Sequence, residues 1–546
     1  MKADEIKVTI ITYDRTYDLT SVQGTKLKDL LDSTGISYSL PCTGAGRCGR
    51  CRVRFTQGAP EARDDEKAKL TEEEIFQGYR LLCRCILEDN CAISLTDAVD
   101  EENISIETVK KGTDQAIGKI GKSDNLGIAI DLGTTTIAAA LIRPATDSNR
   151  SDDSQSYEVL GTASCVNHQR KYGNDVISRI AAAEDSETAK ELQSLVITDI
   201  EELIQELIKE FGGGSTGDIS NNPSIGAITI AGNTTMLHLL EGMDASGLGK
   251  YPYTPVSTAM VKMDSDRLFG SIRGAKLTIL PGISSFAGAD IVGGLFSLTL
   301  RGEERYFFID LGTNGEMAFF DGENLKVTSA AAGPVFEAGG ISCGVASIPG
   351  AISHVEIDET TSRAKYETIQ RQGTSSAQPP IGLCGTAVCE ITSELARSGI
   401  MDETGLLSDE YFDEGFPVTE DGQIRFTQQD IRNVQLAKAA ILTGAGTLVG
   451  EMIPDKVYIA GGFGSHIIPE KIARLRMFPE GFDGKIIAAG NTSLKGAAMY
   501  TAAVLLGSES EAAADAKLGH ITDTAQTVEL AAIDSFDEAY LEAMNF

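Results

Sequence analysis

The chain is poor in positive charge. Its 47 Lys and Arg stand against 79 Asp and Glu, for a formal net charge of −32. Such a surface repels phosphate backbones, which excludes nucleic acid as a partner. No apolar run reaches the roughly 18 residues of a membrane span. The opening MKADEIKVTI is charged and then strand-like, unlike a secretory leader, so a cytoplasmic protein is expected. Neither a G-x-x-x-x-G-K-[ST] loop nor a G-x-G-x-x-G following an apolar strand occurs, which removes the P-loop and Rossmann nucleotide sites. The five histidines are dispersed, none pairs at metal-ligand spacing, and they are assigned to structure.

What is present begins with a repeat. IAIDLGTTTIAAAL (128–141) returns as FFIDLGTNGEMAFF (307–320), identical at six of 14 positions. An apolar strand, then Asp-Leu-Gly-Thr, then a second apolar strand describes a β-hairpin suited to phosphate. The Gly turn lets backbone N–H groups come close, the hydroxyls add donors, and the strand-end carboxylate can hold Mg²⁺ directly or through water. Two such hairpins predict two similar half-domains facing one nucleotide. A third apolar strand, KVYIAGGFGSHI (456–467), ends in glycines where a flat adenosine needs close backbone.

The second signal is PCTGAGRCGRC, which places Cys42, Cys48 and Cys51 in a C-x5-C-x2-C pattern, with Cys83 following in YRLLCRC. Three clustered thiolates on a Gly-rich loop and a fourth some 30 residues on form a [2Fe–2S] ligand set. Zinc is the alternative, but its C-x2-C…C-x2-C pattern is missing. Cys85 and Cys91 lie near enough to compete as fourth ligand. They and Cys165, Cys343, Cys384 and Cys389 are expected to be reduced core thiols. Residues 1–97 hold 14 Lys and Arg against 16 Asp and Glu, so nearly all the net charge falls on the remainder. Arg47, Arg50, Arg52, Arg54, Arg80 and Arg84 flank the cysteines. They either partly neutralise an anionic cluster or dock the module on an acidic surface.

The length predicts about three domains. Residues 1–97 form the cysteine module, with a β-hairpin and then a helix before the cysteines. Residues 98–125 are polar and aperiodic and read as a linker, and 126–304 and 305–506 are the two half-domains. Residues 507–546 are an extension packed on them, with a strand in QTVELAAI and a short helix. Helices are expected over 187–211, over 427–453 with Thr427 or a neighbour as cap, and over 493–506.

The hairpins and the glycine strand resemble the phosphate-1, phosphate-2 and adenosine motifs of the ASKHA superfamily (acetate and sugar kinases, Hsp70, actin). The fold class implied is multi-domain α/β: a β-grasp [2Fe–2S] ferredoxin domain, then a duplicated actin- and Hsp70-like, ribonuclease H-like ATPase. The C-x5-C spacing is nearer the adrenodoxin-like pattern than the plant type, and RLLC resembles the ligand-bearing end of related ferredoxins, which favours Cys83. Further segments extend the likeness: NHQRKYGNDVISRI (167–180), TIAGNTTMLHLL (229–240), GADIVGGL (288–295), AAGPVFEAGGISCGVASIPGAI (331–352), GLCGTAVCEITSEL (382–395) and DIRNVQLAKAAI (430–441). Together they resemble the reductive activators of corrinoid proteins, over nearly the whole chain. One departure is that the first hairpin follows the linker directly, without the extra domain some relatives carry there.

The resemblance implies ATP, Mg²⁺ and a [2Fe–2S] cluster held by Cys42, Cys48, Cys51 and Cys83. Of Asp131 and Asp310, one would help place Mg²⁺ and the other orient the attacking water. Gly133, Thr134, Thr135 and Thr136 would cradle phosphate from one side, Gly312, Thr313 and Asn314 from the other, and Gly461, Gly462 and Gly464 would lie beside adenosine. Asn233 is either a helix cap or a functional group, Asp290 a helix-start carboxylate or an outer Mg²⁺ contact, and Glu337 could approach the nucleotide, its role left open. The implied activity is ATP-dependent reduction of a partner's cobalt from Co(II) to Co(I), fed by an external low-potential donor, in a methyl-transfer system; a homodimer is compatible. No D-x-H-x-x-G occurs, so the corrinoid belongs to the partner. The rivals are another low-potential acceptor, a cofactor-handling chaperone-like module, and a small-molecule kinase carrying a redox sensor.

Overall fold

The computed structural model describes residues 5–11, 16–34, 36, 51–95, 125–145, 157–173, 175–211, 225–298, 304–345, 347–370, 379–461, 468–533 and 535–546. Cys42, Cys48, Gly462, Gly464 and nearly all of the linker lie outside these. No helix among the described residues is long and apolar enough to cross a membrane.

In the N-terminal module, strands β1 (Glu5–Ile11) and β2 (Thr16–Val22) form the hairpin, and α1 (Leu27–Thr34) follows. Strands β3 (Arg52–Gln57), β4 (Tyr79–Leu81) and β5 (Cys91–Ser94) complete a five-stranded sheet of order β2-β1-β5-β3-β4. The sheet is mixed: β1 pairs antiparallel with β2 and parallel with β5. Alternation in β1 turns Ile6, Val8 and Ile10 inward, where they meet Leu27 and Leu31 of α1. This is the β-grasp arrangement.

The next body starts with β6 (Leu126–Leu132), β7 (Thr136–Pro144) and β8 (Tyr157–Val166), an antiparallel meander. Helices α2 (Val176–Ala182) and α3 (Ser186–Phe211) follow, then β9 (Ile225–Gly232), parallel to β6, and α4 (Thr234–Glu241). Strands β10 (Val261–Asp264) and β11 (Lys276–Ile279) extend the sheet to β10-β11-β9-β6-β7-β8, and α5 (Ala289–Ser297) covers it.

The second body repeats the plan. Strands β12 (Tyr306–Leu311), β13 (Gly315–Phe320) and β14 (Leu325–Ala330) make the meander. After α6 (Gly385–Arg397) and α7 (Gln428–Val449), β15 (Lys456–Ala460) joins parallel to β12, and β16 (Ile486–Gly490) lies beyond it. Thr427 caps α7 through a reciprocal capping box with Asp430. Two sheets with the same strand pattern account for the repeated motif: each copy of IDLGT ends the central strand of its own sheet.

The chain then crosses back. Helix α8 (Thr492–Leu506) packs on β6, β9 and α5, and its Ala497, Ala498, Tyr500 and Ala502 belong to the core of the first body. A boundary drawn at 305 separates the sheets, but this helix returns to the first of them. Small residues permit the approach. A Cβ on Gly496 would lie 2.0 Å from the backbone oxygen of Gly293 in α5. In the tail, α9 (Ser508–Thr524) packs on α8 and α5, and a short strand, β17 (Ala525–Thr527), pairs with β14 in the second sheet. The C-terminal segment therefore laces both bodies together.

Gly496→Ala forces backbone against backbone and has no flexible side chain to yield. It should cost about 2 kcal/mol of stability, read as a lower melting temperature of the nucleotide-free protein. An unchanged melting temperature would mean that the two helices are not in contact at this glycine.

Candidate functional site

The two IDLGT hairpins meet across one cleft. In the first, three successive carbonyls are tied back into the scaffold. Gly133 O accepts from Asn167 Nδ2 at 2.9 Å, Thr134 O from Arg179 Nη2 at 2.6 Å, and Thr135 O from the Asn167 amide at 3.0 Å. A trans peptide points its N–H opposite its C=O, so the N–H groups of Thr134 and Thr135 aim away from these anchors, as a phosphate cradle requires. Arg179, on α2, is fully buried, and desolvation brings its guanidinium down to about 9. The sequence marked its segment as a family signature without assigning a role; the structure makes it the strut behind the turn. Asn233 caps α4 by accepting from the Met236 amide and also donates to Thr134 Oγ1 at 3.0 Å. It therefore serves as helix cap and turn support at once.

The second hairpin is one residue tighter. Leu132 pairs with Ile137, leaving four residues in the first turn, whereas Leu311 pairs with Gly315, leaving three. The ungapped repeat aligns Glu316 with the core residue Ile137, but the shorter turn puts Glu316 opposite Asp310, where Ala138 faces Asp131. Directly opposed residues share one face of the sheet. Glu316 thus joins the acidic face, a placement the repeat conceals.

Asp131 is held at both oxygens. Ser493 Oγ donates to Oδ1 at 2.7 Å and Asn491 Nδ2 to Oδ2 at 2.8 Å, both from the start of α8. Desolvation nevertheless raises its pKa, and these two hydrogen bonds only temper the rise. Asp290, in the first turn of α5, accepts from the Ile291 amide at 2.8 Å. Burial, with Asp131 adding repulsion, lifts it to about 6. Asp310 and Glu316 are pushed well above the usual carboxylate range, first by desolvation and then by their acidic neighbours. Gly461, at the end of β15, turns at φ +92°, and a Cβ there would come within 2.7 Å of Asp310 Oδ1. Backbone therefore comes close to the second aspartate at this glycine.

Glu337 sits between the turns. Its Oε2 accepts from Thr135 Oγ1 of the first hairpin at 3.2 Å and from Thr313 Oγ1 of the second at 3.0 Å. It is solvent-accessible, yet enough protein surrounds it that desolvation still raises its pKa. Five carboxyl groups thus gather here, and among the described residues none of them pairs with Lys or Arg. Among the described residues no three of them converge closely enough to hold a metal ion by themselves, so a divalent cation here would need phosphate or water oxygens to complete its shell.

In the N-terminal module, Cys51 precedes β3 and Cys83 lies in the turn after β4. Their sulfurs approach to 3.2 Å without a disulfide. Two thiols converging in this way fit shared iron ligation; their expected partners Cys42 and Cys48 lie outside the described residues. Burial pushes Cys85 well up, Cys91 to about 11 and Cys343 to about 12, and it raises Cys165 and Cys389 further still. These remain protonated, inert thiols. Arg47 and Arg50 lie outside the described residues, and the other four arginines are committed within the module. Arg80 is buried against the carbonyls of Pro60, Ile75 and Tyr79, Arg52 pairs with Glu74, and Arg84 pairs with Asp65 at 3.0 Å.

Asp290 yields a signed pH test. Its carboxyl titrates near 6 when folded and near 3.9 when unfolded. Between these values the folded state holds a proton that the unfolded state has lost. Stability from this group is therefore present below about pH 4 and withdrawn as pH rises through about 6. Asp290→Asn removes the withdrawal. The melting temperature of the nucleotide-free variant, relative to wild type, should rise between about pH 4.5 and 7.5; a constant offset would contradict the raised pKa.

Comparison with known proteins accords with this geometry. Residues 304–546 match the family model for the C-terminal domain of RACo, the ASKHA domain, and 126–303 match the RACo middle region. Residues 11–88 match the 2Fe-2S iron-sulfur cluster binding domain. The corrinoid activation enzyme RamQ of Eubacterium limosum is 28% identical over 444 residues, which cover 76% of this chain and 69% of that protein. The [Co(II) methylated amine-specific corrinoid protein] reductase of Methanosarcina barkeri is 26% identical over 404 residues, covering 67% and 68%. A solved structure, the reductive activator for corrinoid, iron-sulfur protein, superposes with a TM-score of 0.64 at 26% identity, covering 99% of this chain and 98% of that one. With a ferredoxin module followed by a duplicated ASKHA body along the same chain, this protein belongs to the RACo family of reductive activators of corrinoid proteins.

Proposed function

We propose that the protein is an ATP-hydrolysing activase that restores a partner corrinoid protein of a methyltransferase system by reducing its cobalt from Co(II) to Co(I). The observation that carries this reading is the convergence of two phosphate-type hairpins on one acidic cleft, in a chain that also brings two cluster-type thiols together. Cys42, Cys48, Cys51 and Cys83 would hold a [2Fe–2S] cluster, which when bound supplies a single low-potential electron, at roughly −400 mV for plant-type centres. An external donor of low potential would recharge it. A cytoplasmic location and a homodimer belong to the same reading.

Gly133 to Thr136 and Gly312 to Asn314 would clamp the phosphates of ATP from opposite sides. One of Asp131 and Asp310 would help place Mg²⁺ and the other would orient the attacking water, and Gly461, Gly462 and Gly464 would lie beside adenosine. This arrangement suits phosphoryl transfer, which needs mainly positioning and neutralisation of charge. Drawing the two bodies together on ATP would change the surface offered to the partner, as hinge closure does in general. An uphill electron step of about 100 mV needs about 2.3 kcal/mol, within the range of ordinary coupling energies between binding sites. ATP need only favour the reducible state of the partner.

The test is anaerobic. The reduced protein is mixed with a Co(II)-state corrinoid protein from the same organism, with and without Mg-ATP, and cobalt absorbance is followed. Co(I) should form rapidly only with ATP, and Cys42→Ser should abolish it while leaving the ATPase intact. No Co(I) with any native corrinoid protein, despite an intact cluster and ATPase, would reject the cobalt acceptor. Activity on the partner that survives in Cys42→Ser would point to a cofactor-handling role instead.

A further inference from the structure

We infer that Glu337 accepts the proton of the water that cleaves ATP in this cleft. The inference rests on the reading of the cleft as an ATPase and assigns a role that the two IDLGT aspartates had shared as candidates. Glu337 occupies a point contacted by both turns, with Thr135 Oγ1 at 3.2 Å and Thr313 Oγ1 at 3.0 Å. These hydroxyls are the groups that would hold terminal phosphate oxygens. A phosphate cannot rest directly against a carboxylate of the same sign. A water between them satisfies both: it donates to Glu337 and turns a lone pair toward phosphorus.

The other acids are worse placed. Asp131 has both oxygens committed to Asn491 and Ser493, and Glu316 is only 8% exposed. Asp310 has backbone packed against it at Gly461. Asp290 accepts from the Ile291 amide of its own helix and is only partly exposed; Glu337 alone of the five is exposed and hydrogen-bonded to both turns.

Its support is stiff. The turn Pro334–Glu337 is bracketed by Gly333 at φ 71° and by Ala338 at φ 62°, a left-handed position that a residue with a Cβ rarely takes. The start of α6 presses on the turn so closely that a Cβ on Gly385 would lie 1.8 Å from Phe336 O. A base on a locked turn meets the positional demand of proton transfer.

The step balances. The water oxygen bonds to the γ-phosphorus as the bond from that phosphorus to the β,γ-bridging oxygen breaks. The water proton passes to a carboxylate oxygen of Glu337, ADP leaves with the bridging oxygen, and Glu337 later returns its proton to solvent.

Full-length protein is assayed anaerobically for steady-state ATP hydrolysis and for equilibrium Mg-ATP binding. Glu337→Gln should bind ATP as tightly as wild type or more tightly, because a negative charge is gone, while kcat falls by about 10²–10³-fold. Glu337→Asp, which shortens the reach by one methylene, should fall between. If kcat in Glu337→Gln stays within about threefold of wild type while binding tightens, Glu337 is an anionic placeholder for phosphate and the proposal is overturned. Should Glu337→Gln fail to fold, Glu337→Asp decides: an unchanged kcat overturns the proposal and a loss of tenfold or more supports it. A wild-type protein that binds ATP without hydrolysing it would sink the ATPase reading, whereas turnover that survives substitution sinks only the assignment of Glu337.

Discussion

Carboxyl groups crowded together without a cation repel one another, and the two-sheet body is built around tolerating that repulsion. Asp131, Asp290, Asp310 and Glu316 are each lifted in pKa by loss of water and, in three of the four, by their acidic neighbours. Holding such groups together costs stability. The cost is relieved when positive charge enters among them. The nucleotide-free protein is thus poised to gain cohesion on binding, which is the thermodynamic requirement for a ligand to drive closure.

What holds the cluster in place comes from distant parts of the chain. Helix α8 crosses from the second body to pack on the first, and its N-terminal residues grip Asp131. Asn167 and Arg179 tie back the first phosphate turn, while Glu337 bridges to it from the second body. Movement of one body against the other would therefore be felt at Asp131 through α8 and at Thr135 through Glu337. The relative position of the two halves is thus physically coupled to the acidic groups at the two turns.

Much of the fold was legible. The duplicated IDLGT segment predicted two like half-domains because the same strand, Gly turn and strand occur twice in one chain, and the helical spacing of apolar residues matches the helices over Ser186–Phe211 and Gln428–Val449. The tail was less readable: within QTVELAAI only its first residues pair, in a strand over Ala525–Thr527, followed by a short 3-10 turn at Leu530–Ala532. Local propensity is weak there, and pairing with β14 settles the outcome. Asn233 caps α4 and also holds Thr134, and Asp290 is a helix-start carboxylate that accepts from the Ile291 amide beside the other acids. A helix cap and a helix-start carboxylate are also the groups that a helix end presents to a neighbouring turn.

Residue identity and spacing sufficed to mark the cysteine module and the two IDLGT hairpins, since each depends on interactions within a few residues along the chain. Glu316, Arg179, Asn491 and Ser493 could not be placed that way. Glu316 reaches the acidic face because one turn is a single residue shorter, and in a β-hairpin a one-residue change of register swaps every side chain to the opposite face. Arg179 acts 45 residues from the carbonyl it holds, and Asn491 and Ser493 act 360 and 362 residues from Asp131. Contacts at that separation leave no local pattern to read; they come into being only when packing brings remote backbone together.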